Sequence, residues 1–358
     1  MIQVMEGLLT VMALVLAPSA ASLRKLGICR DSSFQSHAGK PSRLMRMTCW
    51  SLGLVEGDFE QEVSVRTMMM LRTSRKQNFI WGEWLRVLAS FAFSLMKFAA
   101  VFLFTAMSAQ AVEIVAHRGF SARAPENTLG AFELAWKNQT DACELDVYLT
   151  ADGKTAVIHD KDTKRTTGVK MDVATAKQAE LTALDAGSWK GQEWASEKIP
   201  TLEQALATMP KGKQRFFIEV KCGAEIVPEL KRILEPMKER AGQLAIIAFK
   251  RDAAAESKKA MPWIQVYRLA AGKTKEKKPT DLTQLIADTK ADKLDGLDLG
   301  SSDFPWDEAM VKQVRDAGFG LYVWTVNKPE DVLRFAKLGV DGITTDDPVM
   351  AREVLGGR

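Results

Sequence analysis

The sequence predicts an α/β fold: a (β/α)8 TIM-type barrel over residues 112–358, with a β-hairpin and an insertion after the second parallel strand. From Val112 onward, short apolar strands alternate with helical stretches, and eight such strands in about 250 residues match the pattern and size of this barrel. One connection, 150–154 with its Asp152-Gly153 pair, is too short for a crossover and joins only antiparallel strands. The first strand lacks the Gly-rich phosphate turn expected of a doubly wound open sheet.

The elements follow in order. Residues 113–116 form an apolar strand that ends at His117-Arg118-Gly119. Pro125-Glu126-Asn127-Thr128 opens a helix, with Asn127 or Thr128 as its cap and Leu129, Phe132 and Trp136 along one apolar side. A strand at 142–147 leads through the tight turn into a return strand at 156–159, which sets His159 roughly opposite Asp146. A polar insertion follows, carrying Trp189 and Trp194 as a candidate wall of the site, and Ile199-Pro200-Thr201-Leu202 starts a helix expected to run to about Met209. Further strands are predicted at 216–221, 244–249, 264–269, 296–299, 321–326 and 342–345, with helices that include 226–240, 308–317 and 330–338.

Charge is distributed unevenly. Residues 1–111 hold 12 Lys and Arg against 7 Asp and Glu, and the remainder holds 37 against 38. That near-neutral balance leaves no basic footprint for nucleic acid, and the jump marks a boundary. Within the first stretch, Met96-Lys97, an apolar run at 98–107 and Ser108-Ala109-Gln110-Ala111 have the layout of a secretory signal peptide cut after Ala111. Residues 1–95 are then expected to be absent from the mature protein, as an over-extended start or a disordered stretch. In the alternative, the long chain is real and 87–111 anchors it in a membrane. Either way the domain is expected to be exported, to periplasm or exterior, touching membrane only through that segment. Oligomeric state is not legible.

Candidate chemistry gathers at strand ends. His117 closes the first strand and His159 arrives through the hairpin. Glu144 and Asp146, and again Glu219 and Lys221, sit two residues apart, which puts each pair on one face of its strand. Three carboxylates aimed into a barrel interior require a cation, and an all-oxygen donor set favours Ca²⁺ or Mg²⁺. Two His free of metal can serve as acid and base near neutral pH, while Arg118 and Lys221 add positive charge for an anion. Together these groups suit phosphodiester cleavage. Phe249 and Trp324, at strand ends, are candidates for a substrate pocket, with core packing as the competing role. Cys143 and Cys222 are expected as free thiols facing the helix layer, offset by roughly 13 Å along the strands if Glu144 and Glu219 sit level.

The run His117-Arg118-Gly119, Pro125-Glu126-Asn127-Thr128, Glu144-x-Asp146, Asp152-Gly153, His159-Asp160 and Arg165-Thr166-Thr167 resembles the glycerophosphodiester phosphodiesterase family. The likeness continues through Leu184–Trp189, Ile199–Leu202, Glu219-x-Lys221, Val323–Asn327 and Asp341–Asp346, and covers nearly all of 112–358. It implies His117 and His159 as the acid/base pair, Glu144, Asp146 and Glu219 as ligands of one divalent cation, and Arg118 and Lys221 on the phosphate. The implied reaction hydrolyses glycerophosphodiesters to sn-glycerol 3-phosphate and an alcohol. A phospholipase D-like or lysophospholipid-cleaving enzyme on the same barrel is the alternative, and a non-catalytic glycerol-phosphate-binding module is the alternative of another class.

Overall fold

The structure, a computed structural model, describes residues 112–356. The expected signal segment 96–111, the alternative anchor 87–111 and the stretch 1–95 lie outside the described residues. Among those described, no helix is long and apolar enough to cross a membrane.

Eight parallel strands close on themselves: β1 (Glu113–Ala116), β2 (Ala142–Leu149), β4 (Arg215–Val220), β5 (Leu244–Ala248), β6 (Gln265–Ala270), β7 (Gly296–Gly300), β8 (Gly320–Trp324) and β9 (Gly342–Thr345). Each pairs with the next in this series, and β1 pairs with both β2 and β9, so the sheet has no parallel edge. The ninth strand, β3 (Thr155–Val157), returns antiparallel along β2. Helices cover the outside, as predicted.

Period-2 alternation divides the strands into two surfaces. Cys143, Leu145, Val147, Phe216, Ile218 and Val220 face the helices in the outer core, while Ala142 and Phe217 point into the barrel. The barrel floor is a polar plug. Glu113 Oε2 accepts bonds from Tyr322 Oη at 2.6 Å and Arg215 Nη1 at 3.3 Å, and Arg215 lies over the Phe217 ring. Phe217, Tyr267 and Tyr322 pack above it with centroids 4.9–6.0 Å apart, which seals the lower interior. Inward residues further up the strands must therefore face the mouth.

Several strand ends shift by one or two residues from the sequence reading, and three further details differ. The helix predicted over 226–240 is α-helical only at Val227–Leu234 and continues as 3₁₀ turns over Glu235–Gln243. Pro236 has no N–H for the α-helical bond and its ring crowds the preceding turn. The return strand stops at Val157, after which Ile158 N donates to Asp146 O at 3.0 Å, so His159 leaves the ladder next to Asp146. Finally, Glu219 pairs with Asp146 and not with Glu144. That register continues to put Cys222 level with Leu149, six residues beyond Cys143, or roughly 20 Å along the strand. Cys143 is buried in the outer core and Cys222 packs against it, both as free thiols.

Candidate active site

The mouth is furnished by strand ends. Glu144 and Asp146 rise from β2 and Glu219 from β4, exposed by 2, 0 and 8%. One carboxylate oxygen from each lies within 4.8 Å of the others. Such proximity of buried like charges needs an explanation, because each costs several kcal/mol without partners. Neighbouring cations supply part of it. Lys221 Nζ donates to Glu219 Oε1 at 2.6 Å and lies 3.3 Å from Asp146 Oδ1, and Arg118 Nε is 3.4 Å from Asp146 Oδ2. Burial raises the Asp146 carboxyl, but Lys221 and Arg118 outweigh it and leave it below its ordinary value. Burial and the Asp146 charge push Glu219 up to about 7, and burial with the charges of Asp146 and Glu219 pushes Glu144 well above the carboxylate range.

Glu144 Oε1 and Asp146 Oδ1 are buried with no hydrogen-bond partner. Glu144 Oε1 has no partner and Asp146 Oδ1 only the 3.3 Å approach of Lys221. Such oxygens in a converging, all-oxygen set fit a hard divalent cation, which would lower all three carboxyls together. The donor set is also braced. Asn127 Nδ2 donates to Asp146 Oδ2 at 2.8 Å while Asp146 N donates to Asn127 Oδ1 at 3.2 Å, and Arg118 N donates to Glu144 Oε2 at 2.8 Å. Both Arg118 (φ 56) and Asn127 (φ 59) adopt left-handed backbone to make these bonds, a conformation that costs about 1–3 kcal/mol and concentrates at functional sites.

Each His is steered through Nδ1. His117 Nδ1 lies 2.6 Å from Asp346 Oδ1, and Asp346 also accepts from Asn327 Nδ2 at 2.6 Å and Ser121 Oγ at 3.2 Å. Burial raises Asp346, but these bonds win and hold it below the ordinary carboxylate value. His159 Nδ1 lies 2.9 Å from Asp160 Oδ1. Burial, with Lys221 and Arg118 nearby, lowers the His159 pKa against the pull of Asp146 and Asp160. With Nδ1 committed to a carboxylate, each ring carries its proton there and presents Nε2 to the mouth.

A family model described as the glycerophosphoryl diester phosphodiesterase family matches residues 117–350. The chain belongs to this family. A glycerophosphodiester phosphodiesterase of Caldanaerobacter subterraneus subsp. tengcongensis is 33% identical over 238 residues, 66% of this chain and 94% of the relative. One from Bacillus subtilis is 29% identical over 297 residues, 76% of this chain and 98% of the relative. Among solved structures, an Oleispira antarctica phosphodiesterase in complex with the product sn-glycerol-3-phosphate has a TM-score of 0.61 at 28% identity, covering 68% of this chain and 96% of that one. A Parabacteroides distasonis glycerophosphodiester phosphodiesterase gives 0.57 at 26%, covering 69 and 97%.

Within this family framework, the structure brings His117, Arg118, Glu144, Asp146, His159, Glu219 and Lys221 to one mouth. Phe249 and Trp324 meet edge to face, centroids 5.4 Å apart, from the ends of β5 and β8. Phe249 remains 40% exposed, while Trp324 also packs against the inner core with Phe217, Tyr267 and Tyr322, so the pair forms a rim resting on that core. Trp189 is likewise exposed, and the neighbouring Lys190 Nζ donates to Ser121 O, which ties the insertion to the loop after β1. The roles of Asn127, Asp160, Asp298 and Asp346 escape sequence reasoning. Asn127 serves Asp146, and Thr128 alone caps the helix. Asp346 and Asp160 hold the His rings, and Asp298 on β7 points inward with its Oδ1 buried and unpartnered. Burial and the Glu219 charge keep the Asp298 carboxyl well above its usual range. Its signal was available, since inward Asp298 alternates with outward Leu297 and Leu299 in the strand.

Proposed function

We propose that this chain is an exported, divalent-metal-dependent hydrolase that converts glycerophosphodiesters to sn-glycerol 3-phosphate and an alcohol. The observation that carries this reading is the buried triad Glu144, Asp146 and Glu219, two of whose oxygens lack a hydrogen-bond donor, together with two carboxylate-steered His. The membership of the family and the product named in the Oleispira antarctica structure support the substrate class. The ion is Ca²⁺ or Mg²⁺, because the donors are carboxylates only.

In this reading Glu144, Asp146 and Glu219 would hold the ion, which when bound would supply Lewis-acid stabilisation of the negative charge on the phosphoryl oxygens. Arg118 and Lys221 hold the phosphate, since both are cations fixed beside Asp146 at the mouth. His117 and His159 divide proton transfer at Nε2. One takes a proton from the attacking oxygen, and the other gives one to the departing alkoxide. The carboxylates behind them fix tautomer and direction. The Phe249–Trp324 rim offers an apolar edge to the carbon skeleton of the substrate.

Export rests on the signal-like layout of 96–111, and N-terminal sequencing of the mature protein is expected to begin at Val112. The central test is metal removal. Chelator should abolish hydrolysis of glycerophosphocholine and added Ca²⁺ or Mg²⁺ should restore it. Full turnover in metal-free buffer would contradict the assignment of the triad.

A further inference from the structure

The short helix Lys164–Thr167, in the insertion after the hairpin, carries one side chain that reaches two functional elements at once. Arg165 Nη1 and Nη2 donate to Glu126 Oε2 and Oε1 at 2.6 and 2.7 Å, a bidentate fork, and its Nε donates to Asp160 Oδ2 at 2.7 Å. Asp160 uses its other oxygen on His159 Nδ1. Glu126 shares Oε1 with Arg118 Nη1 at 2.8 Å. A continuous chain therefore runs His159–Asp160–Arg165–Glu126–Arg118.

We propose that Arg165 is a positioning residue that sets His159 and Arg118 jointly, by holding Asp160 against the first and sharing Glu126 with the second. The proposal rests on the site reading above, in which His159 moves a proton and Arg118 binds phosphate. Isolated surface ion pairs contribute little, but bidentate Arg–carboxylate geometry in a network is the exception. Glu126 keeps only 12% of its side chain exposed and Arg118 17%, so the inner half of the chain is shielded from water. The partition of Glu126 is what matters. While Arg165 takes both oxygens, Arg118 donates only one bond to Glu126, beside its 3.4 Å approach to Asp146, and the rest of its guanidinium stays available at the mouth. Without Arg165, both oxygens of Glu126 turn to Arg118 and compete with the phosphate. Asp160 loses its anchor at the same time, and the His159 ring loses its fixed direction. Lys at position 165 would keep the charge but cannot form the fork.

The test uses the full chain with saturating Ca²⁺ and glycerophosphocholine as substrate, comparing wild type, Arg165→Gln, Arg165→Lys and the double variant Arg165→Gln with Glu126→Gln. Arg165→Gln is expected to raise KM about tenfold, the scale of one charge-assisted bond to phosphate. It should also lower kcat by about tenfold to a hundredfold through the loosened His159. The decisive arm is the double variant. Removing the Glu126 charge removes the competitor, so KM should return to within about threefold of wild type while kcat stays low. If Arg165→Gln does not fold, Arg165→Lys carries the same two expectations in smaller measure. A merely structural Arg165 would change melting temperature and leave KM and kcat unaltered, and that result overturns the proposal. So does a double variant whose KM is higher than that of Arg165→Gln. A wild-type enzyme that releases no sn-glycerol 3-phosphate would instead overturn the site reading, and this inference with it.

Discussion

Replacing Glu219 by Gln should stabilise the metal-free protein and weaken its hold on a metal, two effects of opposite sign from one substitution. Glu219 is 8% exposed, and burial with the Asp146 charge pushes its carboxyl from 4.5 up to about 7, partly offset by Lys221. The folded pKa lies above the unfolded one, so this group favours the fold fully below pH 4.5 and loses that contribution as pH rises through 7. A shift of that size corresponds to about 3 kcal/mol between the two ends of the window. The amide introduced by Glu219→Gln does not titrate, so in chelator the stability difference, variant minus wild type, should rise by up to about 3 kcal/mol from pH 4 to pH 8. Partial loss of the Lys221 bond trims the figure. Urea denaturation at both pH values, with EDTA, measures it. With Ca²⁺ at a hundredfold excess over Kd, wild type gains about 2.7 kcal/mol that the variant lacks, and the order at pH 8 narrows or reverses. A difference that is the same at both pH values would refute the reasoning, since Glu219 would then not titrate there.

Three further outcomes follow from the same geometry. His117→Ala and His159→Ala should each cut turnover by roughly two to four orders of magnitude, with the double variant little worse than either single one. A variant keeping more than about a tenth of the activity would show that its His moves no proton. Glu144 is held well above the carboxylate range and Glu219 near 7, so metal binding at pH 7 should release roughly one to two protons per ion and weaken as pH falls. Calorimetry in buffers of different ionisation enthalpy reads this directly, and no release would contradict the raised pKa values. Thiol titration of a chain beginning at Val112, unfolded without reductant, should find both Cys143 and Cys222 reactive. Finding neither, with both appearing after reductant, would contradict the β2–β4 register.

Much of the fold was legible because barrel strands announce themselves by period and by what ends them. Glu144-x-Asp146 and Glu219-x-Lys221 alternate with outward apolar residues, so their shared face could be read without knowing any neighbour. What alternation cannot give is the register between strands, and Glu219 settles beside Asp146 instead of Glu144. Helix Arg251–Ala260 buries only Ala253, Ala254 and Ser257, an apolar stripe too thin to stand out. The supporting shell of the site was hidden for a different reason. His117 meets Asp346 across 229 residues of chain, and Glu126 meets Arg165 across 39, distances over which no local pattern operates. Asn127 was obscured by a plausible local role, since either Asn or Thr can cap a helix and only the fold shows that Thr128 does so.

The most direct test of the function is the identity of the phosphate-bearing product. Glycerophosphocholine incubated with the protein and Ca²⁺ should give sn-glycerol 3-phosphate and free choline, resolved by ³¹P NMR, with no turnover after chelation. Phosphocholine and glycerol as products, or cleavage that survives chelation, would contradict the proposed cut and the role of the Glu144–Asp146–Glu219 triad.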